Sequence, residues 1–244
     1  MRLLPETFSV NRLLFLSILA ALLSCSTGSV LVDQRGAFYD PRSSVKEQFV
    51  RPTAAELAMA KSRLTDNDRV RVARLLQLPD PGLSLYRDPG VRSLVIDYFC
   101  NLTNSDDVAL SILYHADHNN VPLLLAFSLA WVESRYVSQA VNVNASSVDR
   151  GIFQLNSLSF PNLSVGDFFH PDTNIEYGIR HLKYCLELSS NEAGAIAIYN
   201  AGLTTVLNRD IPASTRSYVS RILQFQRFLT EDFRAYIERG IEKS

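Results

Sequence analysis

From residue 53 onward, apolar positions recur every three or four residues between short polar breaks, a spacing that predicts a chain of helices. Thr53-Ala-Ala-Glu56 has the spacing of a capping box and opens a helix to about Leu64. Asp66 is placed to cap a second helix, through Leu76, before the break at Pro79-Asp80-Pro81-Gly82. Pro89-Gly90 precedes a third, with Val91, Leu94, Val95, Tyr98 and Phe99 at helical spacing. Ser105-Asp-Asp starts a fourth, carrying Val108, Ile112 and Tyr114 towards Asp117. Residues 121–132 (VPLLLAFSLAWV) are almost wholly apolar and predict a buried helix, with Pro122 near its first turn. The pattern changes over residues 137–160. Asn, Ser and Asp crowd together there with Val141, Val143 and Val148, which predicts a loop or short hairpin. Helical spacing returns over 174–188, and Ser189-Ser-Asn-Glu192 has the form of a second capping box, opening a small-residue helix over 193–199. Gly202 is its expected C-terminal cap, and residues 215–237 predict one or two closing helices. The expected fold class is mainly α with a short β-hairpin or loop region.

The first residues follow another logic. Arg2 and Arg12 precede an apolar run over 13–23, followed by Ser24 and Cys25. As a helix that run spans about 16 Å, short of the roughly 30 Å of a hydrocarbon core, so it reads as a secretory signal peptide. Leu22-Leu23-Ser24-Cys25 resembles a bacterial lipobox, which implies lipidation of Cys25. Ordinary cleavage after Ser24 or Gly28 is the alternative. Residues 25–52 then read as a tether, 53–104 as an N-terminal helical extension and 105–244 as the main domain. A formal net charge of −1 gives no electrostatic footprint for nucleic acid. Beyond Cys25 only Cys100 and Cys185 remain; they form either a disulfide or two buried thiols, and two thiols cannot complete a structural zinc site.

The candidate chemistry centres on Glu133, directly after the apolar run and before Ser134. Removal from water and the negative end of a helix both favour the neutral acid. A carboxyl still protonated near neutral pH can donate the proton that breaking a glycosidic bond requires. A surface Glu at a helix end is the plain alternative. Three further segments argue against it: Gly151-Ile-Phe-Gln154, Tyr199-Asn-Ala-Gly202 and Thr215-Arg-Ser-Tyr218-Val. With Glu133-Ser134 these resemble, in order and spacing, the signature of the lytic transglycosylases, lysozyme-fold enzymes that cut bacterial peptidoglycan. His170-Pro-Asp-Thr-Asn174-Ile and Gly178 resemble the same family's segment leading into the helix behind its cleft. The likeness covers about residues 105–225.

The resemblance implies a lysozyme-like α+β domain with Glu133 as general acid and then base, and no cofactor or metal. It implies substrate contacts from Ser134, Phe153, Gln154, Tyr199, Asn200 and Tyr218, the two tyrosines offering ring faces to sugars and hydroxyls to Glu133. Phe153 stands where most members have Met, and the segment joining Glu133 to Gly151 is longer than the commonest form. That segment ends Ser146-Ser-Val-Asp149-Arg, which resembles both animal-type lysozymes and the transglycosylases that accompany secretion and flagellar machinery. Asp149 is therefore either a second cleft carboxylate or a local turn residue paired with Arg150. His115 and His118, three residues apart, read as a polar helix end rather than a metal site.

Three functions follow. The leading one is an envelope-anchored lytic transglycosylase acting on peptidoglycan strands, held to a membrane through Cys25 at the periplasmic face of the outer membrane in a two-membrane cell. The nearest rival is a hydrolytic muramidase using Glu133 and Asp149. A non-catalytic peptidoglycan-binding lipoprotein is the third; an assembly factor with secretion or flagellar components as partners is a further reading, compatible with activity.

Overall fold

The computed structural model describes residues 50–242, so the expected signal peptide, Cys25 and nearly all of the tether lie outside the described residues. The helices before the sheet are α1 (Ala54–Arg63), α2 (Asp66–Leu75), α3 (Gly82–Arg87), α4 (Arg92–Thr103), α5 (Asp106–Asn119) and α6 (Leu123–Ser134). Three short strands follow, β1 (Val141–Val143), β2 (Val148–Arg150) and β3 (Leu155–Asn156). The chain ends in α7 (Val165–Phe169), α8 (Pro171–Leu188), α9 (Glu192–Ala201), α10 (Leu203–Leu207) and α11 (Ala213–Ile241). The fold is mainly α with one small antiparallel sheet in the order β1-β2-β3, as the sequence pattern predicts. Among the described residues no helix is long and apolar enough to cross a membrane.

The apolar run becomes α6, the axis of the core. All eight residues from Leu123 to Ala130 are buried, because α3, α5 and α11 pack against this helix. Phe127 of α6 stacks on Phe99 of α4 with ring centroids 3.9 Å apart, and Phe99 stacks in turn on Phe233 of α11. One continuous apolar cluster therefore joins the N-terminal helices to the rest. Cys100 and Cys185 are both free and buried, which selects two thiols over a disulfide.

Several ends differ in detail from the pattern-based expectation. The second helix is capped by Thr65, in a box with Asp68, and Asp66 is already its first residue. α8 begins at Pro171, three residues early, because a proline fits the first helical position and the His170 ring accepts from the Thr173 amide. Asn191, not a Ser189–Glu192 box, caps α9. Gly202 does cap α9, at φ 80°, and the closing segment is one helix. α3 lies where a break is expected.

The N-terminus of α6 is closed from a distance. Pro122 has no side-chain cap to offer. Asp80 supplies one instead, accepting from the Leu124 amide at 3.0 Å and the Gly82 amide at 2.9 Å. Burial pushes the Asp80 carboxyl up to about 6, while these amides pull the other way. Asp80→Ala leaves both N–H groups without their acceptor and is expected to cost about 2 kcal/mol. That corresponds to a fall of roughly 4–8 °C in Tm by calorimetry; an unchanged Tm would refute the capping role.

Candidate active site

The last turn of α6 opens onto a cleft of about 1160 Å³, bounded by the sheet, α8, the α9–α10 corner and the start of α11. Glu133 stands on its wall, partly buried. Tyr218 of α11 donates a short hydrogen bond to Glu133 Oε1. Burial pushes the Glu133 carboxyl up to about 7, with the Asp149 charge acting in the same sense and the Tyr218 bond and Arg221 charge opposing it. Burial and the neighbouring Glu133 charge drive the Tyr218 phenol well above its ordinary range, so it remains a donor. The group is thus a carboxyl divided between acid and base forms near neutrality, its oxygen held by a fixed phenol. That is the equipment of a group that both gives and takes a proton.

Asp149 faces the same cleft, and the strand register explains its surroundings. It pairs with Asn142 on β1 and with Asn156 on β3, so the three side chains form one row across the sheet. Asn142 and Asn144 donate to Asp149 Oδ2 at 3.1 and 2.8 Å, and Asn156 donates to Oδ1 at 2.6 Å. Three amides fix the carboxylate in place. The pairing with Arg150 does not form; that guanidinium lies over the Phe168 ring instead.

The other expected contacts divide into those at the cleft and those beneath it. Gln154 lines the cleft at φ 45°, and its side-chain amide donates to the Gly151 and Ala140 carbonyls. Asn200 lines it too, accepting from Thr215 Oγ1 at 2.8 Å. Ser134 reaches the cleft wall, but its hydroxyl donates to the Ile152 carbonyl at 2.8 Å and ties α6 to the loop after β2. Tyr199 lines the cleft while its hydroxyl donates to the Phe153 carbonyl, not to Glu133. Tyr218 is 6% exposed and offers Glu133 a hydroxyl rather than a sugar a ring face. Phe153 is wholly buried and cannot touch a ligand. It packs on Gly178 of α8, where a Cβ would stand 2.3 Å from the Phe153 ring.

The floor is held by Asn174, which is buried in α8. Its side chain accepts from the Phe153 amide at 2.8 Å and donates to the Arg150 and Phe168 carbonyls at 3.0 and 2.9 Å. Gly151 passes so close, at φ 77°, that a Cβ would lie 2.4 Å from the Phe168 carbonyl oxygen. Among the cleft residues that escaped the sequence reading are Arg135, His181, Tyr184 and Arg221, besides the asparagines around Asp149. Arg221 lies one turn after Tyr218, and His181 and Tyr184 continue from Gly178 at steps of three, so helical spacing from the recognised motifs carried the signal. His115 is not at a polar helix end. It is buried and joins Ser111 on the Asp172 carboxylate, tying α5 to α8. Among the described residues no group of three or more candidate ligands could hold a metal ion.

A helix-end carboxyl beside a small antiparallel sheet, over a long polar cleft in a helical body, defines a lysozyme-like domain. Residues 111–217 match the family model described as "Transglycosylase SLT domain", and that segment carries a domain of this type. The match begins within α5 and stops one residue before Tyr218. No curated protein and no solved structure matches the chain.

Proposed function

We propose that the protein is a peptidoglycan lytic transglycosylase that cleaves the β-1,4 bond between N-acetylmuramic acid and N-acetylglucosamine and leaves a 1,6-anhydro-muramoyl end. Glu133 in its acid form protonates the bridging oxygen as the C1–O bond breaks, and the N-acetylglucosamine side departs with a hydroxyl. The Glu133 carboxylate then takes the proton of the muramoyl C6 hydroxyl, whose oxygen closes on C1. The carboxyl is restored and no water is consumed. The observation that carries this reading is the pairing of Glu133, with a carboxyl near 7, to a phenol that remains protonated.

A hydrolytic muramidase is the second reading, favoured by the position of Asp149 in the same cleft. Three asparagine amides take three of the roughly four lone-pair positions of the Asp149 carboxylate and leave one on Oδ1. So held, Asp149 serves the first reading as a fixed negative charge facing the oxocarbenium-like transition state and the second as a nucleophile. Mass spectrometry of digested sacculi separates the two readings, since anhydro products are lighter than hydrolytic ones by one water. Anhydro-muramoyl ends are expected; products with reducing muramic acid ends would establish the hydrolase instead. The proposal places the mature protein in the cell envelope, anchored through a lipidated Cys25 after removal of residues 1–24. Metabolic labelling with a palmitate analogue, lost in Cys25→Ser, tests the anchor.

A further inference from the structure

Two guanidinium groups line the cleft that holds Glu133 and, among the described residues, form no salt bridge. Arg135 ends α6 in the left-handed region, at φ 54°, and its guanidinium lies over the Trp131 ring, 5.4 Å from the centroid. Trp131 stacks on Phe225 of α11 at 4.2 Å with the planes 7° apart. Arg221 precedes Phe225 by four residues and follows Tyr218 by three, so it shares a helix face with both. The stacked pair therefore fastens α6 to α11 with a cation on each helix, both exposed and both lining the cleft. Among the described residues neither pairs with a carboxylate.

An unpaired cation here works against the proposed reaction, because the Arg221 charge favours the ionised form of Glu133. Its presence is accounted for if the substrate brings an anion to it. A glycan of acetamido sugars is neutral along its backbone; the peptides carried on the lactyl groups of muramic acid bear carboxylates. A guanidinium fork matches a carboxylate in two parallel hydrogen bonds, and stacking on Trp131 orients the Arg135 fork in advance. We infer that Arg135 and Arg221 form a carboxylate-binding subsite for the peptide of the substrate, so that peptide-bearing strands are cut in preference to bare ones. The inference rests on the transglycosylase reading.

The test compares kcat/KM on peptide-bearing strands with kcat/KM on strands stripped of peptide by an amidase. The wild-type protein is expected to favour the former by about tenfold or more. In an Arg135→Gln/Arg221→Gln double variant that ratio is expected to fall towards one, mainly through KM, and the Lys replacements to recover part of it. Equal wild-type rates on both substrates would overturn the subsite while leaving the transglycosylase reading intact. So would an equal factor lost by the double variant on both, since the arginines would then act on Glu133 or the fold. A wild-type protein that cuts neither substrate would overturn both.

Discussion

Glu133→Gln is expected to lower the turnover of glycan strands by about 10³-fold or more while leaving the fold intact. The substitution conserves shape and keeps an oxygen to accept from Tyr218, but an amide at this position cannot deliver a proton. Anhydro product release from purified sacculi measures the loss, and retained cleavage would exclude Glu133 as the acid. The same variant has a signature in stability. The unfolded carboxyl titrates near 4.5 and the folded one near 7, so its contribution is fully present below the lower value. As pH rises through the interval, the folded state must hold an ion in a desolvated place, and wild-type stability falls; Gln has no such titration. Glu133→Gln is therefore expected to match the wild type at pH 4. At pH 8 it should exceed it by about 2 kcal/mol, a figure reduced for the group's residual solvent contact. Thermal melts at the two pH values check the sign, and a variant weaker at pH 8 would contradict it. Wild-type kcat/KM is expected to decline above pH 7 as the acid form is lost.

The second large effect belongs to Asn174. Truncation to alanine strands the Phe153 amide and the Arg150 and Phe168 carbonyls inside the protein. Each buried group left without a partner carries a desolvation penalty, and together they are expected to remove about 3–5 kcal/mol. Asn174→Asp is not expected to rescue it. A carboxylate can accept from Phe153 but turns a second oxygen towards the two carbonyls. Chemical denaturation gives the loss, and a change below 1 kcal/mol would show that the floor does not depend on this residue.

Much of this arrangement was readable beforehand. An apolar run too continuous for an amphipathic helix marked α6 as central, and the acid at its end was conspicuous for that reason. The asparagine-rich segment predicted a loop or short hairpin, though not that Asn142, Asp149 and Asn156 would share one row, because register follows from pairing and not from composition. Hydroxyl partners were only partly within reach: Tyr218 meets Glu133 as the resemblance implies. Ser134 and Tyr199 sit in the recognised motifs but bond to the Ile152 and Phe153 carbonyls, and which acceptor a hydroxyl meets is decided by packing. Phe153 was assigned to the ligand through the resemblance of its motif, in which it precedes Gln154. Adjacent residues in a turn face opposite ways, and this one faces α8. α3 was missed because Pro79-Asp80-Pro81-Gly82 reads as punctuation, although Pro81 serves as the residue from which a short helix starts.

The recognisable family segment begins at residue 111, yet the helix carrying the acid is finished at its origin by Asp80 and flanked by Phe99 and Phe233. The parts that aim Glu133 are thus written on both sides of the parts that identify it. Transplanting residues 111–217 into a foreign scaffold would carry the signature and leave its aim behind. For a protein engineer, the smallest portable unit of this chemistry is longer than the motif by which it is found.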